Sequence, residues 1–381
     1  MTGFGVYVHW PFCPTRCAYC DFAAIVDRGR VPAERYARAL LVELAAVPLP
    51  EGPVLSVFFG GGTPSLAPPA VIGRLLEALA RRRTLAGDAE VTLEANPGTV
   101  DVRRAAAWRE AGVTRVSLGV QARQAHHLAA LGRDHSARDA ETAVAAVRAA
   151  GFDNLNCDLI YGLPGQTVAE WEDTLTWVGH WAPEHVSAYQ LEVEPGTRLW
   201  RAVRRGEVAP PDSDLVADLA LLAETHLDAA GLRRYEVSNW ARPGRESVHN
   251  RLYWTQMPYV GLGAGAHSFD GRTRRWNVRG VLAYLRAVEA GRLPEAGRED
   301  LDAAHLAGEF VWLGLRQIEG VRLDVFRRRF GRPLQAAFPG VAERLERLGL
   351  LESDGVRLRL SRRGLDLYNR VAQEFLTARL S

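Results

Sequence analysis

From residue 4 to residue 190 the chain alternates between two hydrophobic rhythms. Short apolar runs at 4–9, 54–59, 90–95, 115–119, 155–160 and 185–190 have the length and side-chain types of buried strands. Between them, at 33–47, 69–83, 102–111, 137–150 and 168–179, apolar residues recur every three or four positions, as along one face of a helix. Gly112 and Gly151 stand where the third and fourth of these helices should stop. Six strands separated by helices predict an α/β protein built from repeated strand–helix units around a parallel sheet.

Polar and glycine residues gather after these strands: GGGTP after Phe59, EANPG after Leu93, GVQ after Leu118, and NCDLIYGLP after Leu155. In a barrel of such units the side chains at the carboxyl ends of the strands converge on one face. An open doubly wound sheet would group them similarly, but no G-x-G-x-x-G opens the first helix. Past residue 190 the rhythm loosens. A helix is predicted at 212–230, 234–271 reads as loop-rich, and 291–299 reads as a linker. Helices at 301–317, 323–329 and 340–348, a hairpin turning at Asp354-Gly355, and a helix at 362–376 describe a small winged-helix-like unit. The chain thus divides into a barrel over 1–290 and a C-terminal domain over 298–381.

A length of 381 residues suits a barrel with a smaller appendage. The net charge of +2 supplies no field to steer nucleic acid or an anionic membrane. Residues 301–381 carry 14 arginines against 10 acids, too small an excess to make DNA the partner of the winged unit. All 47 basic residues are arginine, which excludes Schiff-base and Walker-lysine chemistry. The amino terminus lacks the pattern of a secretory leader and no run of eighteen apolar residues occurs, so the expected location is the cytoplasm, with at most peripheral membrane contact.

Three of the four cysteines, Cys13, Cys17 and Cys20, fall in one short run, YVHWPFCPTRCAYCDF. Gaps of three and two residues let one loop reach three corners of a 4Fe-4S cube and leave the fourth iron open to a small ligand. A structural zinc site needs a fourth ligand, for which His9 is the nearest candidate. Trp10, Phe12, Tyr19 and Phe22 are placed to screen such a cluster. Cys157 reads as a small buried thiol.

The triplet C-x-x-x-C-x-x-C, followed by GGGTP, EANPG, GVQ and DLIYGLPGQT, resembles the radical S-adenosylmethionine superfamily and, within it, the coproporphyrinogen-oxidase-like branch, over nearly the whole chain. The resemblance implies an incomplete TIM-type (β/α)6 barrel. It makes Cys13, Cys17 and Cys20 the cluster ligands, and it assigns S-adenosylmethionine contacts to Tyr7, Tyr19, Gly61, Gly62, Thr63, Glu94, Gln121, Arg133 and Asp158. It further implies reductive S-adenosylmethionine cleavage, fed by an electron donor such as flavodoxin or ferredoxin.

Two departures separate the chain from the oxidases of that branch. Phe22 stands where they carry a fourth cysteine, and their extension before the first strand is missing. In addition, His249-Asn250-Arg251-Leu252-Tyr253-Trp254 matches the H-N-x-x-Y-W motif of a haem-carrying subgroup. That match implies haem as cargo, acceptor haem proteins of respiration as partners, and His249, Tyr253 and Trp254 as haem contacts, with a homodimer as one arrangement. The competing expectation is a radical methylase or porphyrin-modifying enzyme, and after it oxygen-independent coproporphyrinogen III oxidase. GLGAGAHSF, residues 261–269, is expected to bring backbone close to a second ligand.

Overall fold

A computed structural model describes residues 2–26, 29–210 and 212–377. Its centre is a run of parallel strands in the order the sequence predicts. β1 (Phe4–Trp10) is followed by the cysteine loop, whose two-residue strands β2 (Phe12–Cys13) and β3 (Ile25–Val26) pair with each other. Then come β4 (Val54–Gly61), β5 (Leu85–Ala95), β6 (Arg115–Gln121), β7 (Leu155–Tyr161) and β8 (His185–Gln190). Each of these pairs in parallel with the one before it, starting from β1. Helices α1 (Ala33–Ala46), α2 (Pro69–Arg82), α3 (Val102–Glu110), α4 (Ala125–Leu131), α5 (Ala137–Ala149) and α6 (Val168–Gly179) fill the crossovers. Their apolar stripes meet the strands in one core that includes Leu40, Ile72, Trp108, Val147 and Trp171, all essentially without solvent contact. Truncating such a core aromatic costs about 3–5 kcal/mol.

After α7 (Arg198–Arg204) and α8 (Ser213–Ala229), the region expected to be loop-rich instead extends the sheet at both edges. Of the hairpin β9 (Arg233–Glu236) and β10 (Asn239–Ala241), β10 adds antiparallel to β8 and β9 antiparallel to β10. α9 (Val248–Trp254) follows, and then β11 (Tyr259–Leu262) returns parallel to β1. β12 (His267–Phe269), β13 (Thr273–Asn277), α10 (Val281–Glu289) and β14 (Glu295–Asp300) complete a sheet of order β14-β13-β12-β11-β1-β4-β5-β6-β7-β8-β10-β9. The expected linker at 291–299 is therefore largely an edge strand. Its residues EAGRED alternate no apolar face, and cross-strand charge pairs such as Arg274 with Glu299 hold it. Among the described residues β14 and β9 do not pair, so the (β/α)6 barrel is incomplete.

The C-terminal part has its own core around Phe310, Phe326, Phe338, Leu358 and Phe375. It comprises α11 (Ala303–Leu315), β15 (Val321–Arg322), α12 (Leu323–Phe330), α13 (Leu334–Ala337), α14 (Val341–Arg347), the hairpin β16 (Leu351–Ser353) and β17 (Arg357–Leu360), α15 (Arg362–Asp366) and α16 (Tyr368–Thr377). The single final helix expected at 362–376 is broken at Leu367. Arg316, just past α11, fastens this part to the barrel. It donates to the fully buried Glu236 carboxylate at 2.6 Å, and its guanidinium lies 4.5 Å from the Trp254 ring centre.

Candidate cluster and cofactor site at the barrel mouth

The cysteine loop leaves the carboxyl end of β1 and is fastened at several points. Ala18 N–H donates to Leu131 O at 2.8 Å, and Ala18 O accepts from Leu199 N–H at 2.9 Å. The GGGTP run grips it from β4: Gly62 N–H donates to Trp10 O at 2.7 Å and Thr63 N–H to Phe12 O at 2.9 Å. Gly61 has φ +112°, and a Cβ there would land on the His9 ring; a Cβ on Gly62 would stand 2.8 Å from Trp10 O. The glycines thus let β4 close against the loop that carries the cysteines.

Each thiol faces a donor. Thr63 Oγ1 donates to Cys13 Sγ and the Arg133 guanidinium to Cys17 Sγ, both at 3.5 Å, and Phe22 N–H faces Cys20. Burial pushes the Cys13 thiol up to about 11 and raises Cys20, with those donors opposing it. Metal binding must therefore displace protons from these two thiols near neutral pH. Three cysteines without a fourth protein ligand leave a structural zinc shell incomplete, whereas a 4Fe-4S cube takes three thiolates and keeps one iron free. His9 is no fourth ligand, because its nitrogens bond Tyr7 OH at 3.0 Å and Ala23 O at 3.1 Å.

The expected screen of aromatics is only partly there. Trp10 and Phe12 turn into the core against Tyr36, and Phe22 is 59% exposed. Tyr19 alone lies against the apolar cluster of Leu128, Leu131 and Leu199 beneath the loop.

Around the mouth, strand-end polar groups converge as expected. Arg133 donates to Gly119 O at 2.8 Å and Asn96 Oδ1 at 3.3 Å, while its Nε is buried without a partner. The Gln121 amide lies over the same Gly119, and Gln121 itself is held at φ +69°, a strained backbone for a side-chain-bearing residue. Glu94 accepts from Gly61 N–H at 3.1 Å; burial, then the charge of Asp158, pushes it up to about 8. Asp158 accepts from Ser117 Oγ at 2.9 Å and Asn156 Nδ2 at 2.8 Å. Tyr7 lines the same interior, stacked on Phe58. An orphaned guanidinium nitrogen, a neutral-leaning carboxyl and a second carboxylate around one mouth fit the carboxylate, ammonium and ribose hydroxyls of S-adenosylmethionine.

Asn96, and the residues Ser117, Asn156, Ser187 and His185 that join the expected Asp158 in one interior network centred on Asn156, were not expected from the sequence. The signal available was the two-residue spacing of Asn156 and Asp158, which puts both on one face of β7.

His249, Tyr253 and Trp254 lie at the opposite end. α9 plugs the amino-terminal side of the sheet, its first amides capped by Glu90. His249 is 2% exposed, and its ring nitrogens bond Ser56 Oγ at 2.8 Å and Tyr253 OH at 2.9 Å. Burial, then Arg115, pushes it down to about 3. Trp254 is covered by Arg316. The structure thus closes the face on which these three residues were expected to meet haem. The 261–269 loop is likewise engaged: Gly263 N–H donates to Glu43 at 2.8 Å and Ala264 N–H to Tyr36 OH at 2.9 Å.

Partial barrel, cysteine loop and convergent mouth define a radical S-adenosylmethionine protein. The chain matches the Radical SAM superfamily over residues 7–178 and the HemN C-terminal domain over residues 301–367. Within that superfamily it belongs to the HemW heme chaperone family. It is 43% identical over 377 residues to heme chaperone HemW of Mycobacterium tuberculosis, covering 98% of this chain and 95% of that one. To HemW of Bacillus subtilis it is 33% identical over 373 residues, covering 97% and 98%. The solved structure of coproporphyrinogen III oxidase (HemN) from Escherichia coli, a radical SAM enzyme, superposes with a TM-score of 0.86 at 23% identity, covering 98% of this chain and 90% of that one, and so shares the fold.

Proposed function

We propose that this protein binds haem and delivers it to acceptor haem proteins, with Cys13, Cys17 and Cys20 holding a 4Fe-4S cluster beside an S-adenosylmethionine pocket formed by Tyr7, Tyr19, Gly61, Gly62, Thr63, Glu94, Gln121, Arg133 and Asp158. The observation that carries the reading is family membership along the whole chain, including the C-terminal part. When bound, the cluster supplies one-electron reduction of the sulfonium. The protein's own residues position the pair: Thr63 and Arg133 orient two of the sulfurs, and Glu94 offers a carboxyl that the mouth holds largely protonated near neutral pH.

Two histidines compete for the haem iron. The motif names His249, whose use requires α9 to leave its seat and break the bonds to Ser56 and Tyr253. Geometry names His267, exposed at the start of β12 and stacked on Trp276 at 6.0 Å, which reaches a ligand without any opening. Titrating haem into cluster-loaded protein is expected to give a stoichiometric Soret band and transfer of haem to an apo-cytochrome. His249→Ala and His267→Ala then identify the ligand by which one abolishes the band. No stoichiometric binding, or decarboxylation of coproporphyrinogen III by the same preparation, overturns the reading.

A further inference from the structure

His126 and His127 open α4 on the outer side of the barrel, and Glu170 lies in the first turn of α6. Glu170 Oε1 stands 3.1 Å from His126 Nε2 and Glu170 Oε2 stands 3.5 Å from His127 Nε2. His127 is 1% exposed; its Nε2 meets only the long contact to Glu170, and its Nδ1 is buried without a hydrogen-bond partner. Burying a ring nitrogen without a partner is unfavourable, and no catalytic or packing role described above compensates it. The carboxylate is already oriented: Thr167 donates to Oε2 through both its N–H and its Oγ1, each at 2.9 Å. The carboxylate thus faces both imidazoles, Oε1 toward His126 and Oε2 toward His127, with Thr167 fixing it from behind, as outer partners do around bound metals.

We propose that His126, His127 and Glu170 form a second metal site for a borderline divalent cation of the zinc class, distinct from the cysteine loop. Ligand bonds of about 2.0–2.2 Å to imidazole and carboxylate place tetrahedral donors roughly 3.3–3.6 Å apart; the imidazoles stand 3.1 and 3.5 Å from the two carboxylate oxygens, and one ligand atom from each of the three residues lies within 4.8 Å of the others. Two imidazoles and one carboxylate, with water completing the shell, select zinc, nickel or copper over magnesium or calcium. The site joins α4 to α6. The far end of α4 is where Leu131 holds Ala18 and where Arg133 turns back to Cys17, so an ion here stiffens the support of the cysteine loop.

The test uses full-length, cluster-loaded protein and zinc alone, with affinity read by competition against a chromophoric chelator and ligand type by zinc K-edge absorption. One equivalent of zinc with only nitrogen and oxygen neighbours is expected, together with a raised melting temperature. His126 is 64% exposed, so His126→Ala should fold normally and lose about tenfold or more in zinc affinity, the scale set by losses around metal sites. Glu170→Gln serves as a second variant with the same expected loss. Sulfur neighbours around the zinc, no binding, or unchanged affinity in His126→Ala overturns the proposal.

Discussion

Glu43 offers a measurable link between the barrel's interior and pH. It sits on α1, 3% exposed, and accepts from Gly263 N–H at 2.8 Å, Tyr284 OH at 2.7 Å and Asn277 Nδ2 at 2.6 Å. Burial outweighs these three donors and raises its carboxyl from 4.5 to about 7. Because the folded value lies above the unfolded one, the native state binds the proton more tightly. The resulting stability is complete below the unfolded value and is lost as pH rises through about 7. The distance from 4.5 to about 7, at about 1.36 kcal/mol per pH unit, amounts to about 3 kcal/mol. Glu43→Gln removes the titration while keeping one acceptor, so its own packing cost is the same at every pH. Denaturant unfolding of both proteins between about pH 4 and about pH 8, in a background with the three loop cysteines replaced by serine, isolates the effect. The wild-type chain should lose about 3 kcal/mol relative to the variant across that range. Parallel stability curves for the two proteins would show that Glu43 is ionised throughout and that the three donors, not burial, govern it.

Cys17→Ser should remove the brown absorption near ~400 nm and the associated iron and sulfide; retention of full iron content would reassign the ligands. Arg133→Met deletes the donors to Cys17 Sγ, Asn96 and Gly119 O. S-adenosylmethionine affinity, read by calorimetry, should weaken at least about tenfold, the equivalent of about 1.4 kcal/mol. Arg316→Leu strips Glu236 of its cation in a fully buried setting, for which about 3–5 kcal/mol of destabilisation is expected in chemical denaturation. A loss below about 1 kcal/mol would mean water replaces the guanidinium there.

The sequence made the central strands and helices legible because each carries an uninterrupted rhythm and a clear stop. β8 and α6 fall at the positions the pattern predicts, and the other central elements differ by a few residues at one end or the other. The edge strands were invisible for a physical reason. β10, β12 and β14 are three to six residues long, and β14 is held by charges across the strand, so no two-residue alternation announces it. The missed helix α4 spans only two turns and lacks a side-chain cap. At the site, carboxylates and amides at strand ends could be assigned to one mouth because parallel strands must deliver them there. What a motif cannot state is which end of a strand its helix will meet. Alone, H-N-x-x-Y-W suits packing at the barrel's lower opening, and only the family resemblance makes it a haem face; Ser247 places the start of α9 over Glu90, and Glu90 opens the buried half of β5. That single long-range capping contact turns His249 inward to Ser56, closes the motif, and makes an opening of α9 the condition on which His249, rather than His267, meets iron.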